Sequence, residues 1–176
     1  MNNSTSPDGR NVSVKRIVID GLAVALVFVS AMFVHIRLPV VGVGAMIHMG
    51  DLPLFIFALL FGRRTGALAG AFGLALFDLL SGWSPWAPFS FVIAGAMGWL
   101  VGFGAEKNHR AAITPYALSI LAANAITVGG YYLAECVLYG NWITPVGSIP
   151  INALQVTLPA VLAFPIARRL QSIRFY

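Results

Sequence analysis

Four short stretches of this 176-residue chain carry side chains that could hold a small molecule without reacting with it. In FDLLSGWSPWAPF, residues 77–89, Asp78 ends an apolar run, and Trp83 and Trp86 follow in a turn broken by Pro and Gly. A carboxylate in hydrocarbon is costly, so an intramembrane acid faces a bundle interior or a water-filled cavity. Indole faces can stack on a flat heteroaromatic ring. In PINALQ, residues 150–155, Asn152 and Gln155 are three apart and share a helical face, with Pro150 fixing the helix start. Asn124, Thr127, Tyr131 and Glu135, spaced three, four and four apart, form a polar stripe that must face protein or a cavity rather than lipid. HMGDLP, residues 48–53, adds His48 and Asp51.

Each of these has a structural reading beside the binding one. Asp78 could pair with Arg37 or cap a neighbouring helix. Trp83 and Trp86 could belong to an interfacial aromatic belt. The two amides could bond between helices, and the stripe through Glu135 could be a satisfied polar seam. Asp51, two residues ahead of Pro53, resembles a helix N-cap and is read that way. Catalytic chemistry finds no support. His35, His48 and His109 have no partnered serine or metal set, and there is no Walker loop or nucleophile elbow. An intramembrane enzyme is therefore disfavoured, and no cofactor, metal or nucleic acid is expected.

The elements that must position these residues are membrane helices. The chain is 59% hydrophobic and 10% charged, where a soluble domain is about 25% charged. Six apolar segments are read at about Ile17–Ile36, Ile47–Phe61, Thr65–Leu80, Phe89–Phe103, Ile113–Leu138 and Ile149–Ala167. The second, third and fourth are short for a span of about 20 residues. The fold expected is an all-α membrane protein of six transmembrane helices, forming one domain over residues 15–176 after a polar, disordered tail over residues 1–14. Val29–Ala31 resembles a signal-peptide cleavage site, but Asp20 interrupts that apolar core and five more segments follow.

Charge orients the bundle. Arg10, Lys15, Arg16, Arg63, Arg64, Lys107, Arg110, Arg168, Arg169 and Arg174 fall at one end, and Arg37 alone at the other. The positive-inside rule makes the basic end cytoplasmic, with both termini inside. Asp51, Asp78 and Glu135 then lie toward the outer face, with His35, His48, Trp83, Trp86, Tyr131, Tyr132, Tyr139, Asn141 and Trp142. That is the composition of a pocket open to the outside. LPVVGVGAMIHMG, residues 38–50, is expected to be a partly folded loop between helices one and two, over the outer mouth. Small residues thin segments three (Gly66, Gly70, Gly73) and four (Gly95, Gly98, Gly102), which allows close helix packing. In segment one, Gly21 and Ala25 form a small-xxx-small pair to which Ala23, Ser30 and Ala31 add.

In order, these features are a small-residue first helix, GD-x-P, LLFGRRTGALAGAFG, D-LLSGWSPWAP, a glycine-rich span and P-x-N-x-x-Q. Over about residues 15–170 this resembles the substrate-binding S component of an energy-coupling factor (ECF) vitamin transporter, of the hydroxymethylpyrimidine, pyridoxine or riboflavin-like subgroup. The resemblance implies a six-helix subunit of a prokaryotic plasma membrane. It would bind a water-soluble vitamin with high affinity at the outer face and lack ATPase activity of its own. It also implies a transmembrane coupling (T) protein as partner and, through it, two cytoplasmic ATPases. Small residues of the first helix, here Gly21 and Ala25, would meet the T protein, and the loop Pro39–Gly50 would close over ligand. Ligand contacts implied are Trp83, Trp86, Tyr131, Glu135, Asn141, Asn152 and Gln155, with Asp78 and His48 as further candidates. The alternative is a stand-alone proton-coupled secondary transporter, but residues 15–80 and 90–170 show no convincing repeat.

Overall fold

A computed structural model describes residues 14–40, 43–107 and 113–173. The six helices are α1 (Val14–Phe33), α2 (Asp51–Phe61), α3 (Arg63–Ser81), α4 (Ala87–Lys107), α5 (Ile113–Tyr139) and α6 (Ile149–Ile173). Between α1 and α2 stand two strands, β1 (His35–Val40) and β2 (Val43–His48). Single 3-10 turns, Ser84–Trp86 and Thr144–Ser148, precede α4 and α6. Of the tail expected over residues 1–14, only Val14 lies among the described residues, and it opens α1.

Among the described residues, four helical stretches are long and apolar enough to cross a membrane: Val14–Phe33, Ser84–Lys107, Ile113–Tyr139 and Thr144–Ile173. α2 is different. Its 11 residues span about 16 Å, against roughly 30 Å of hydrocarbon. The expected segment Ile47–Phe61 is corrected accordingly, because Ile47 and His48 belong to β2. α2 buries Asp51, Leu54, Phe55, Ala58 and Leu59, a stripe at helical spacing that packs into the core. Ile36, expected in the first span, sits in β1.

The expected loop is an antiparallel hairpin that pairs His35 with His48 and Ile36 with Ile47. Met49 N–H donates to Val34 O at 2.9 Å, closing the base of the hairpin against the end of α1. Arg37 Nη2 donates to Ser81 O at 2.9 Å and ties the first strand to the end of α3. The ring of His48 meets Phe77 edge-on at 5.3 Å between centroids, and His35 meets the same ring at 5.8 Å.

Close backbone contact joins α3 to α4. A Cβ on Gly66 would collide with Gly98 O, and one on Gly98 with Gly66 O. One on Gly70 would meet Ala94 O, and one on Gly102 the Arg63 backbone. With little hydrophobic drive between helices in lipid, such approach gains dispersion along the whole seam. The α2–α3 turn depends on Gly62 at φ 90°, where a side chain would also strike Glu106.

Arg63, Arg64 and Lys107 gather at one end, where Arg63 and Lys107 both lie over the Phe103 ring. Arg64 Nε lies 3.5 Å from Asp20 Oδ2, and Thr65 Oγ1 donates to Asp20 Oδ1 at 2.6 Å. Arg63 pairs with Glu106 at 3.4 Å. Gln171 Nε2 donates to Leu59 O, which brings the end of α6 to the same level. Ala23 and Ala31, grouped with Gly21 and Ala25 in the sequence, point inward and are fully buried, whereas Gly21 and Ala25 are exposed.

Gly98→Leu should destabilise the bundle by about 1–3 kcal/mol or more through overpacking against Gly66. Gly129→Ala, where a Cβ meets nothing within 4 Å, should not. Thermal unfolding of both variants in one detergent is the comparison that checks this.

Candidate substrate-binding site

A cavity of about 70 Å³ lies at the end opposite the basic residues. Its walls come from the hairpin (Met46, His48), the α3–α4 turn and its flanks (Asp78, Trp83, Trp86, Ser90), α5 (Tyr131, Glu135), the turn before α6 (Ser148) and α6 itself (Asn152, Gln155).

The indoles are placed by two local rules. Gly82 takes φ 89°, and the N–H groups of Gly82 and Trp83 both return to Asp78 O, which stops α3. One 3-10 turn follows, with Pro85 near its start and Trp86 N–H donating to Trp83 O at 2.8 Å. With three residues per turn, Trp83 and Trp86 fall on the same side. Their rings meet at 5.0 Å and 74°, and Trp86 meets Tyr139 at 6.0 Å and 63°. The pair therefore makes a corner, in which a flat ring stacking on one indole presents its edge to the other.

The polar wall is a set of linked hydroxyls and carboxyls. Ser90 Oγ is 2.8 Å from Tyr131 OH, and Asp78 lines the same wall of the cavity. Either hydroxyl of this pair can donate to the other. Arg37, the alternative partner for Asp78, is instead taken up by Ser81 O. Ser148 donates to Glu135 Oε2 at 2.6 Å and receives Asn152 Nδ2 at 3.4 Å. The rest of the α5 stripe faces protein: Thr127 bonds Met97 Sδ, and Asn124 Nδ2 bonds Thr157 Oγ1.

Gln155 holds the roof. Its Oε1 accepts from His48 N–H at 2.9 Å, and its Nε2 donates to His48 O at 2.8 Å and to Asp51 Oδ2 at 2.9 Å. One side-chain amide thus reads a strand residue as another strand would. His48 Nδ1 accepts from Gly50 N–H at 3.3 Å, so the ring proton of a neutral imidazole sits on Nε2. Asp51 is not the helix cap it resembles. Gly50 holds the N-cap position, no side chain caps the helix, and the Asp51 carboxyl group is buried against Gln155.

Eight of the nine candidate residues line this one cavity. Asn141 does not: it is exposed, and its Oδ1 accepts from Ile143 N–H and Thr144 N–H, shaping the entry to the second 3-10 turn. Sequence reasoning missed Met46, Ser90 and Ser148. Ser148 carried a signal, since with Asn152 and Gln155 it continues one helical face at spacings of four and three. Ser90 is a lone hydroxyl in an apolar run and had none.

Gln155→Ala should free the hairpin from α6 at a cost of about 1–3 kcal/mol for the polar groups left unpaired. Hydrogen exchange should quicken at the His48 amide and stay unchanged along the α3–α4 seam. Equal protection at His48 in variant and parent would contradict this role.

Comparison with known proteins gives these features a context. Residues 11–172 match the family described as ECF-type riboflavin transporter, S component. The chain is 29% identical over 153 residues to the thiamine precursor transporter HmpT of Lactococcus lactis subsp. cremoris, covering 87% of this chain and 86% of that one. It is also 33% identical over 108 residues to an uncharacterised protein of Pyrococcus woesei, covering 60% and 69% respectively. With the family matched over nearly its whole length, the chain belongs to the ECF-type riboflavin transporter S components, membrane transport subunits rather than enzymes.

Proposed function

We propose that the protein captures a flat, water-soluble vitamin or vitamin precursor from outside a prokaryotic cell and delivers it to an ATP-driven ECF module. The observation that carries this is the cavity itself: two indoles at a corner, faced by carboxyls, hydroxyls and an amide, at the end away from the basic residues. On this reading Trp83 and Trp86 stack the ring, while Asp78, Tyr131, Glu135, Asn152 and His48 meet its polar edge. Gln155 acts at one remove by holding the hairpin down as a roof. The basic end is cytoplasmic by the positive-inside rule, and both termini lie there.

The size of the cavity supports a single-ring substrate such as hydroxymethylpyrimidine or pyridoxine over a three-ring isoalloxazine. About 70 Å³ is small beside drug-sized pockets of roughly 300–1,000 Å³. The name of the Lactococcus relative, a thiamine precursor transporter, points the same way. The family description names riboflavin, which the site would take only by widening.

Coupling to a T protein and two ATPases is supported by the exposed face of α1, where Gly21 and Ala25 would let another helix approach closely. Gly21→Leu with Ala25→Leu should abolish ATP-dependent uptake in vesicles containing the full module while leaving substrate affinity within about twofold. The function itself is tested by mass spectrometry of the small molecule that co-purifies, joined to a thermal-shift screen of B vitamins and their precursors. A bound vitamin or precursor, with a matching rise in melting temperature, is the expected result. No bound molecule and no shift with any of them would sink the reading.

A further inference from the structure

A second depression lies between α4 and α5, at the basic end of the bundle. It has a volume of about 480 Å³, with walls that include Leu100, Phe103 and Lys107 of α4 and Thr114, Leu118 and Ala122 of α5. Ser90, in the wall of the substrate cavity, stands seventeen residues back along α4 from Lys107, about 25 Å away. The floor is a contact of small residues, since a Cβ on Gly104 would strike Ser119 Oγ. Ser119 Oγ already donates to Pro115 O at 2.9 Å, so the floor behaves as an apolar surface.

The groove is apolar along its length and charged at one mouth. Lys107 is the last residue of α4 and Thr114 the second of α5. Leu100 and Ala122, seven and eight residues further along, lie about 10–12 Å deeper. Lys107 is exposed, its Nζ stands 4.6 Å from the centre of the Phe103 ring, and it has no ion pair among the described residues. The neighbouring carboxylate is committed elsewhere: Glu106 Oε1 accepts from Arg63 N–H at 2.9 Å, and Oε2 lies 3.4 Å from Arg63 Nε. Among the described residues no Asp or Glu lines the groove.

We infer that this groove holds one anionic phospholipid of the leaflet at the basic end, with its phosphate on Lys107 and an acyl chain between α4 and α5. In a bilayer, lipid is what meets such a face, and basic pockets between membrane helices on the cytoplasmic side suit anionic headgroups. The charge pattern selects among headgroups. A zwitterionic lipid brings an ammonium group that finds no carboxylate here and is repelled by Lys107. A lipid with net negative charge meets an uncompensated cation. The inference is independent of which substrate the distant cavity takes.

Native mass spectrometry of purified, delipidated protein in detergent tests this, with phosphatidylglycerol and phosphatidylcholine of identical chains supplied in equal amounts. Phosphatidylglycerol should be retained about 3- to 10-fold more than phosphatidylcholine, as expected for one lysine near the headgroups. Lys107→Gln should hold one fewer phosphatidylglycerol, and Lys107→Arg should restore it. Ala122→Phe, at an exposed position, fills the groove and leaves every charge in place; it should lose the same lipid. Equal retention of the two lipids by the parent protein would overturn the proposal. So would undiminished phosphatidylglycerol binding in both Lys107→Gln and Ala122→Phe, which would place the lipid elsewhere. Displacement of the lipid by excess inorganic phosphate would assign Lys107 to a free anion and also overturn it. A dimer that Ala122→Phe dissociates would give the groove to a second copy of the chain instead.

Discussion

Hydrocarbon offers no hydrogen bonds, so each polar side chain on these helices must find a partner within the protein or stand at an end. The five described acids show how this is met. Asp20 has Thr65 and Arg64, Glu106 has Arg63, Glu135 has Ser148, and Asp51 has Gln155, while Asp78 stands in the cavity wall. At the basic end the partners are cations and the result is two ion pairs. At the other end the partners are a neutral hydroxyl and an amide. That difference gives one end of the bundle a structural role and leaves the other with acceptor capacity to offer a ligand.

The same constraint explains how the cavity is walled. α3 and α4 touch backbone to backbone along Gly66, Gly70, Gly98 and Gly102, which fixes the turn carrying Trp83 and Trp86 on a rigid pair. The roof is held otherwise. The hairpin meets the bundle through the Gln155 amide, the Arg37–Ser81 bond and edge contacts to Phe77. These are few and directional, and groups held in this way open at lower free energy than a packed seam. Gln155 is the side chain that bonds the hairpin directly to α6.

Much of this could be read from residue types alone, because membrane helices write strong signals. Apolar run length, the one-sided cations and the polar stripe on α5 each follow from solvation, which depends little on tertiary detail. Less could be read where local geometry overrides composition. The alternation in HIRLPV and VGAMIH is a strand signal, yet beside apolar helices it passed for a loop. Asp51 carried every mark of a cap except the contact, since Gln155 lies 104 residues away and its approach is a tertiary fact. Asn141 sat among aromatic residues and looked like a ligand contact, but a short amide in a turn satisfies its own backbone first. Ser90 could be found only after folding, because its role depends on Asp78 and Tyr131 converging from two other helices.

The central claim is that the corner formed by Trp83 and Trp86 is where a flat ring binds. Intrinsic tryptophan fluorescence tests it directly, because Trp99 lies on α4 stacked on Phe103 at 5.0 Å and Trp142 is exposed beside Tyr132, neither lining the cavity. Titration of ligand-free protein with the vitamin or precursor that co-purifies should give saturable, one-to-one quenching. That quenching should persist in Trp99→Phe and disappear in the Trp83→Phe, Trp86→Phe double variant. Saturable quenching of equal depth in the double variant would place the ligand elsewhere and contradict the account.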